Sequence, residues 1–265
     1  MRIIQTCNDI INFVKITKSQ GQSIGFVPTM GALHQGHLAL LKKAKAENDV
    51  VICSIFVNPT QFNDAEDYKK YPRNIEKDID NIKTLCDVVF NPFVEEMYPT
   101  VPQKVYDLDG LDKVMEGKYR PGHFNGVVTI VDRFFEIIPA DNAYFGKKDF
   151  QQVAIIKKIV EKYKHNIRIV TVDTVRETDG LAFSSRNMLL SAEKRKEAPF
   201  IYQTLLQAKS MVNQRTPLEI HQWVTEEFNK RKSFTLEYAS IVEAHSLGEI
   251  KDFKESQEAV LCVAA

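Results

Sequence analysis

Cysteine is scarce and scattered in this sequence. The four present, Cys7, Cys53, Cys86 and Cys262, lie far apart and never fall into the paired spacing that a zinc site or a redox dithiol requires. A reduced, cytoplasmic setting fits that usage. Long apolar runs are also missing, since none approaches the roughly 18 residues of a membrane span. The start, Met1-Arg2-Ile3-Ile4-Gln5-Thr6 with Asn8 and Asp9 close behind, lacks the apolar core of a secretory signal. Neither sign of charge predominates: 35 Lys and Arg balance 35 Asp and Glu, which removes any whole-chain electrostatic reason to expect nucleic acid or an anionic membrane as partner. Internal repeats and low-complexity tracts are absent too. What remains, 44% apolar and 26% charged residues over 265 positions, is the balance of a soluble protein with a large core and one or two domains.

Periodicity supplies the architecture. Over the first two thirds, short β-branched runs alternate with segments of helical period, the pattern of a parallel sheet with crossover helices. Strands are expected at 24–29, 50–57, 87–90, 142–145 and 167–172, with helices at 38–47, 126–138 and 151–164. Asn58-Pro59 and Asn91-Pro92 close two of those strands with turn chemistry. Beyond Val175 the pattern changes to helical stretches at 192–212 and 217–230, then strands at 236–243 and 259–263. The expected fold is therefore α/β: a Rossmann-like parallel sheet with helices on both faces over residues 1–174, plus a smaller C-terminal α+β domain over 175–265. Right-handed crossovers bring the post-strand loops to one carboxyl edge of the sheet, where such folds bind ligands.

Three of those loops carry candidate chemistry. Met30-Gly31-Ala32-Leu33-His34-Gln35-Gly36-His37 runs from strand to helix and places two imidazoles and several N–H groups at a helix N-terminus, a setting suited to phosphate. It is no P-loop, because His37-Leu38 stands where Lys and Ser or Thr are needed, and it lacks the dinucleotide fingerprint. Zinc lacks further ligands, and no Gly-x-Ser-x-Gly elbow supports a serine hydrolase. Gly146-Lys147-Lys148-Asp149 offers a lysine for phosphate oxygens. Phe183-Ser184-Ser185-Arg186-Asn187 offers hydroxyls and a guanidinium suited to a triphosphate. Gln61 and Gln152 are amides able to orient a small polar molecule. Each feature alone also reads blandly: a His-x-x-His pair in a loop, a solvated lysine, a polar linker before a helix capped by Ser191, ordinary glutamines. His123, His165, His221 and His245 have no comparable context.

Read together, the blocks resemble the pantothenate synthetase family. They are Pro28 to His37, Ile55-Phe56-Val57-Asn58-Pro59-Thr60-Gln61-Phe62, Tyr71-Pro72-Arg73, Gly117-Lys118-Tyr119-Arg120-Pro121-Gly122-His123-Phe124, Tyr144 to Gln152, and Arg176 to Asn187. Six long matches in order are far more specific than any one short motif. The resemblance implies membership of the wider His-x-Gly-His nucleotidylyltransferase group and a two-step reaction. Pantoate and ATP form pantoyl-adenylate and pyrophosphate; β-alanine then displaces AMP to give pantothenate, on the way to coenzyme A.

The resemblance also implies the site. Met30, Gly31, Ala32, Leu33, His34, Gln35, Gly36 and His37 would line the ATP site, with His34 and His37 on the phosphates and His37 the candidate proton donor. Gly146, Lys147, Lys148, Asp149, Val175, Phe183, Ser184, Ser185 and Arg186 would complete it. Lys148, Ser184, Ser185 and Arg186 would act on the triphosphate, and Gln61 and Gln152 would hold pantoate, Gln61 also lying near β-alanine. Magnesium would travel with ATP, the second domain would serve as a lid, and the enzyme would be a cytoplasmic homodimer. Phe183 replaces the family's usual Met and Lys147 its common Glu. Asp78 is a candidate for helping hold magnesium, but its neighbour is Lys77 where some relatives are acidic, so no protein metal ligand is assigned. Relatives usually continue briefly past the position of Ala265, so the last strand is expected to be incomplete or its tail absent. Two other readings stay open: an adenylyltransferase of the same wider group, and a silent nucleotide-binding protein.

Overall fold

The computed structural model describes residues 1–265. In chain order the elements are β1 (Arg2–Ile4), α1 (Cys7–Ser19), β2 (Ile24–Thr29), α2 (Gln35–Glu47), β3 (Val50–Ile55), α3 (Ala65–Lys70), α4 (Ile75–Ile82), β4 (Val88–Phe90), α5 (Val94–Met97), α6 (Met115–Tyr119), α7 (His123–Ile137), β5 (Asn142–Gly146), α8 (Phe150–Lys162) and β6 (Arg168–Val172). Then follow α9 (Ala192–Glu197), α10 (Phe200–Ser210), α11 (Pro217–Asn229), β7 (Tyr238–Glu243) and β8 (Ala259–Ala264). They form two compact units, Met1–Leu108 with Gly122–Val175, and Asp109–Pro121 with Arg176–Ala265. A division at 174/175 leaves 109–121 in the first domain, whereas here that segment packs with the second unit, where Tyr119 stacks on Tyr238 at 5.9 Å between ring centroids.

The first unit is built on a six-stranded sheet in the order β1-β4-β3-β2-β5-β6, and every neighbouring pair is parallel. Side chains alternate along each strand, so one sheet has two faces to bury. Val27, Val51, Cys53, Ile55, Val89 and Tyr144 point to one face and pack with Leu40, Leu41 and Ala44 of α2 and Ile82 of α4. Phe26 and Phe90 point to the other, where Phe134 of α7 meets them edge-on at 5.3 and 6.3 Å. Burying each such side chain stabilises the fold by about 1.5–3 kcal/mol. The chain proceeds from β2 to β3 and β4 on one side, then crosses to β5 and β6 on the other. The crevice between β2 and β5 is therefore the topological switch point, where ligands bind in open α/β sheets.

Three expected helices differ from those found, and α7 is one of them, starting at His123 rather than Gly126 because Gly122 in the left-handed region turns the chain into it. The helix expected from Leu38 starts at Gln35, because His34 itself is the N-cap: its imidazole accepts the Gly36 N–H, and His37 reciprocates on the His34 N–H. The stretch expected over 192–212 is two helices, since Pro199 cannot donate to the helical ladder and starts α10 afresh. The second unit has its own core of Phe200, Ile220, Val224, Phe228, Ala239 and Ile241, in which Phe200, Phe228 and Phe234 form a ring trio at 5.2–5.5 Å. Its sheet is the antiparallel pair β7–β8. No helix is long and apolar enough to cross a membrane.

Candidate active site

Within the first unit, the loops after β2, β3 and β5 carry the residues singled out from sequence. Gly31 (φ 83°) and Ala32 (φ 50°) turn the chain sharply after β2, and His34 then opens α2. The His34 and His37 rings lie 4.0 Å apart between centroids. The His34 Nδ1 accepts the Gly36 N–H at 3.1 Å, and the His37 Nδ1 accepts the His34 N–H at 3.3 Å. An imidazole whose Nδ1 accepts carries its proton on Nε2, so both rings are set as Nε2–H donors.

Electrostatics agree with that neutral state. Burial holds His37 down at about 3, reinforced by His34 and Lys148 and opposed by Asp149. His34 is lowered for the same first reason, burial, with the Lys148 charge next. Lys148 and Asp149 of the loop after β5 thus act on both imidazoles, which joins the two sides of the crevice electrostatically. The loop itself is exposed, and Lys148 touches only its neighbour Asp149, at 3.3 Å, among the ion pairs it forms. Lys147 pairs with Asp173 at 2.7 Å.

The third loop is fixed differently. Asn58, almost fully buried, accepts from Thr60 and from the Tyr98 hydroxyl (2.7 Å), while its amide donates to the Gln61 Oε1 and to the Gly126 carbonyl, both at 3.0 Å. The Gln61 Nε2 is thereby left to donate toward the Met30 sulfur at 3.1 Å. A ring nitrogen of buried His123 meets the Gln61 carbonyl at 2.8 Å. Helix α7 comes so close that a Cβ on Gly126 would stand 2.1 Å from the Thr60 carbonyl oxygen. A cavity of about 290 Å³ lies beside Met30, lined also by Phe56, Arg73, Asn74 and Asp78. Gln152 lies half-buried in the first turn of α8.

Three residues of this arrangement escaped the sequence reading. Asn58 looked like strand-closing turn chemistry, and His123 had no local context. Asp78 reads from sequence only as a candidate for helping hold magnesium; in the structure both of its oxygens accept backbone N–H groups of Ala32 and Leu33, at 2.8 and 2.7 Å. No group of three or more His, Cys, Asp or Glu side chains is placed to hold a metal ion.

Phe183, Ser184, Ser185 and Arg186 belong to the second unit and Val175 to the end of the first. Gly180 (φ 94°) makes the tight turn that pairs Arg176 with Ala182. The Ser184 Oγ accepts the Arg186 N–H, Ser185 is buried, and Asn187 donates to the Ala182 carbonyl and to Glu177. Arg195 then ties Glu177 and Asp179 together, each at 2.6 Å. This loop is held by its own hydrogen bonds and by two helices, with Arg195 on α9 and the Tyr202 ring of α10 under Arg176 at 3.7 Å.

A family model described as pantoate-beta-alanine ligase matches residues 2–265. A pantothenate synthetase of Porphyromonas gingivalis is 44% identical over 264 residues, covering 99% of this chain and 94% of the relative. That of Flavobacterium psychrophilum is 47% identical, covering 93% and 89%. Among solved structures, pantothenate synthetase from Thermus thermophilus superposes with a TM-score of 0.88 at 40% identity, covering 96% of this chain and 91% of that one. Pantoate-beta-alanine ligase from Francisella tularensis, complexed with beta-gamma ATP and beta-alanine, gives 0.77 at 38% identity, covering 91% and 89%.

Proposed function

The chain belongs to the pantoate–β-alanine ligase family and condenses pantoate with β-alanine using ATP, and we propose that it does so through pantoyl-adenylate formed at the β2–β5 crevice. The observation that carries the placement is the meeting of two Nε2–H imidazoles with the Lys148 charge at that crevice. In the first step a pantoate carboxylate oxygen bonds to the α-phosphorus of ATP and the bond to pyrophosphate breaks. In the second, the β-alanine amine attacks the acyl carbon, AMP leaves, and the amine proton passes to solvent or base. Neither step needs a protein nucleophile. Both need donors aimed at oxygens that gain negative charge, and a preorganised donor of that kind lowers the barrier by about 2.7–4 kcal/mol.

Each residue follows from its setting. His34 and His37 donate Nε2–H hydrogen bonds to phosphate oxygens, and His37 acts as a neutral donor rather than as an imidazolium. Lys148 supplies the positive charge from an exposed position. Gln61, its carbonyl and Oε1 already engaged, offers its amide N–H to pantoate beside Met30, and Gln152 is the second amide. Met30 to His37, Gly146 to Asp149 and Val175 line the nucleotide. Ser184, Ser185 and Arg186 serve the triphosphate, with Phe183 against adenine, and residues 175–265 exclude water from the adenylate. Magnesium enters as the counter-ion of ATP. A cytoplasmic homodimer is part of the same proposal, and sedimentation velocity at two protein concentrations tests the dimer.

Pyrophosphate–ATP isotope exchange, with and without pantoate and with no β-alanine, tests the function. Exchange that depends on pantoate is expected. Its absence in folded protein that binds ATP would transfer the site to the adenylyltransferase or silent-binding readings.

A further inference from the structure

Asp78 sits in the first turn of α4 and is 3% exposed, one of two carboxylates so deeply buried; the other is Asp132. The turn it touches is the one that carries the histidines. Gly31 and Ala32, both left-handed, point the N–H groups of Ala32 and Leu33 to one side, a concavity of the kind that binds anions. The anion in it is internal. The Asp78 Oδ2 accepts the Ala32 N–H at 2.8 Å and its Oδ1 accepts the Leu33 N–H at 2.7 Å. A Cβ on Gly31 would stand 3.0 Å from Oδ2, so the carboxylate and the turn are fitted to each other. A left-handed alanine is disfavoured. The two charge-assisted hydrogen bonds offset that strain. Helix α4 is in turn anchored by Ile75, Ile79 and Ile82 in the same core as Leu33 and Leu40. Leu33 is followed at once by His34, whose own N–H fixes the His37 tautomer.

We propose that Asp78 is a positioning residue for adenylate formation: it fills the anion-binding concavity of the 30–33 turn, which therefore leaves phosphate to the imidazoles and holds them in one tautomer and direction. The proposal rests on the reading of this crevice as the ATP site. The role needs no magnesium on Asp78, whose two oxygens each accept a backbone N–H.

The test uses Asp78→Ala and Asp78→Asn, with Asn48→Ala as a control for stability alone, since Asn48 is buried at the opposite, amino edge of the sheet on Tyr144 and Asn142. Pantoate-dependent exchange in Asp78→Ala should lose about 10²-fold in kcat, the scale of an ångström-sized misplacement. Its ATP KM should stay within about threefold, since binding is less sensitive than the transition state to donor direction. Added formate should restore part of the lost rate by refilling the concavity, and should leave the wild type unchanged. Long-range ¹⁵N–¹H spectra should show both imidazoles as Nε2–H in the wild type and tautomer averaging in Asp78→Ala. Should Asp78→Ala not fold, Asp78→Asn, equal in volume and short of one acceptor, should show the same losses at smaller size. Unchanged kcat and spectra in a folded variant overturn the proposal. So does a raised magnesium requirement, which would make Asp78 a metal ligand, or an equal kcat loss in Asn48→Ala, which would reduce the effect to stability. If the wild type itself shows no exchange, the ligase reading fails, while the imidazole spectra still decide what Asp78 does.

Discussion

The loops after β2 and β5 face each other across the switch point and are built on opposite principles. The first is held by a chain of contacts: two left-handed positions, a buried carboxylate on two N–H groups, an imidazole as helix cap and a second imidazole locking the first. The second is exposed, and its lysines pair with the exposed carboxylates Asp173 and Asp149. A hydrogen bond to a developing charge depends steeply on direction, so imidazole donors need a fixed frame. An ammonium acts as a point charge with freely rotating donors and loses little from mobility. The site thus divides its work between a tightly bonded half that supplies direction and an exposed half that supplies charge.

If that division holds, removing the charge should damage chemistry without damaging the fold. Lys148→Ala should lower adenylate formation by about 10²–10³-fold, with the melting temperature unmoved because the Lys148–Asp149 pair is exposed. Unchanged single-turnover rates would take Lys148 out of the mechanism. Gly126→Ala should do the reverse. Its new Cβ meets backbone at 2.1 Å, so α7 and the 59–61 turn must separate, and overpacking of this kind costs about 1–3 kcal/mol. Denaturant unfolding reads the loss, and wild-type stability in that variant would show that the turn gives way freely. Gln61→Ala lies between the two. It should raise the pantoate KM by about tenfold, or 1.4 kcal/mol, with ATP affinity intact. Equal losses for both substrates would mean that the 58–61 turn, and not one amide, had failed.

How much of this was legible in sequence depends on whether the signal was local. The strand over 24–29 was readable to the residue, because an apolar run bounded by polar turns has few alternatives. The start of α2 was not, since a histidine cap is outside the usual Ser, Thr, Asp and Asn signal. The site residues in the loops stood out as motif blocks, but their supports did not. Asp78 acts across 45 and 46 positions and Asn58 across 68, and such separations leave no periodic trace in a single sequence. Pro199 is a local signal for the break between α9 and α10, but the apolar period runs on across it and reads as one helix. The place of 109–121 in the second unit is likewise a matter of long-range packing.

The smallest effect tests the tightly bonded half by its response to acid. Burial holds the folded His37 at about 3, against 6.5 for a free imidazole. Between those values the unfolded chain binds a proton that the folded chain refuses. Its contribution to stability is therefore complete above about pH 6.5 and is lost as pH falls toward 3, at no more than about 1.4 kcal/mol per pH unit. The depressed carboxylates begin to lose their contributions only near their ordinary values, 4.5 for Glu47, Glu219 and Glu243 and 3.8 for Asp132 and Asp141, so the range from pH 6.5 to 5.5 reads the imidazoles. His37→Asn keeps an acceptor for the His34 N–H and cannot titrate. Denaturation at several pH values should show a shallower fall for that variant than for the wild type. ATP should also flatten the wild-type curve, because phosphate charge beside the ring favours its protonated form and brings the folded value nearer the unfolded one. Equal slopes in variant and wild type would mean that His37 takes up its proton freely in the folded protein, and the imidazole pair would then be no more tightly held than the lysine loop opposite.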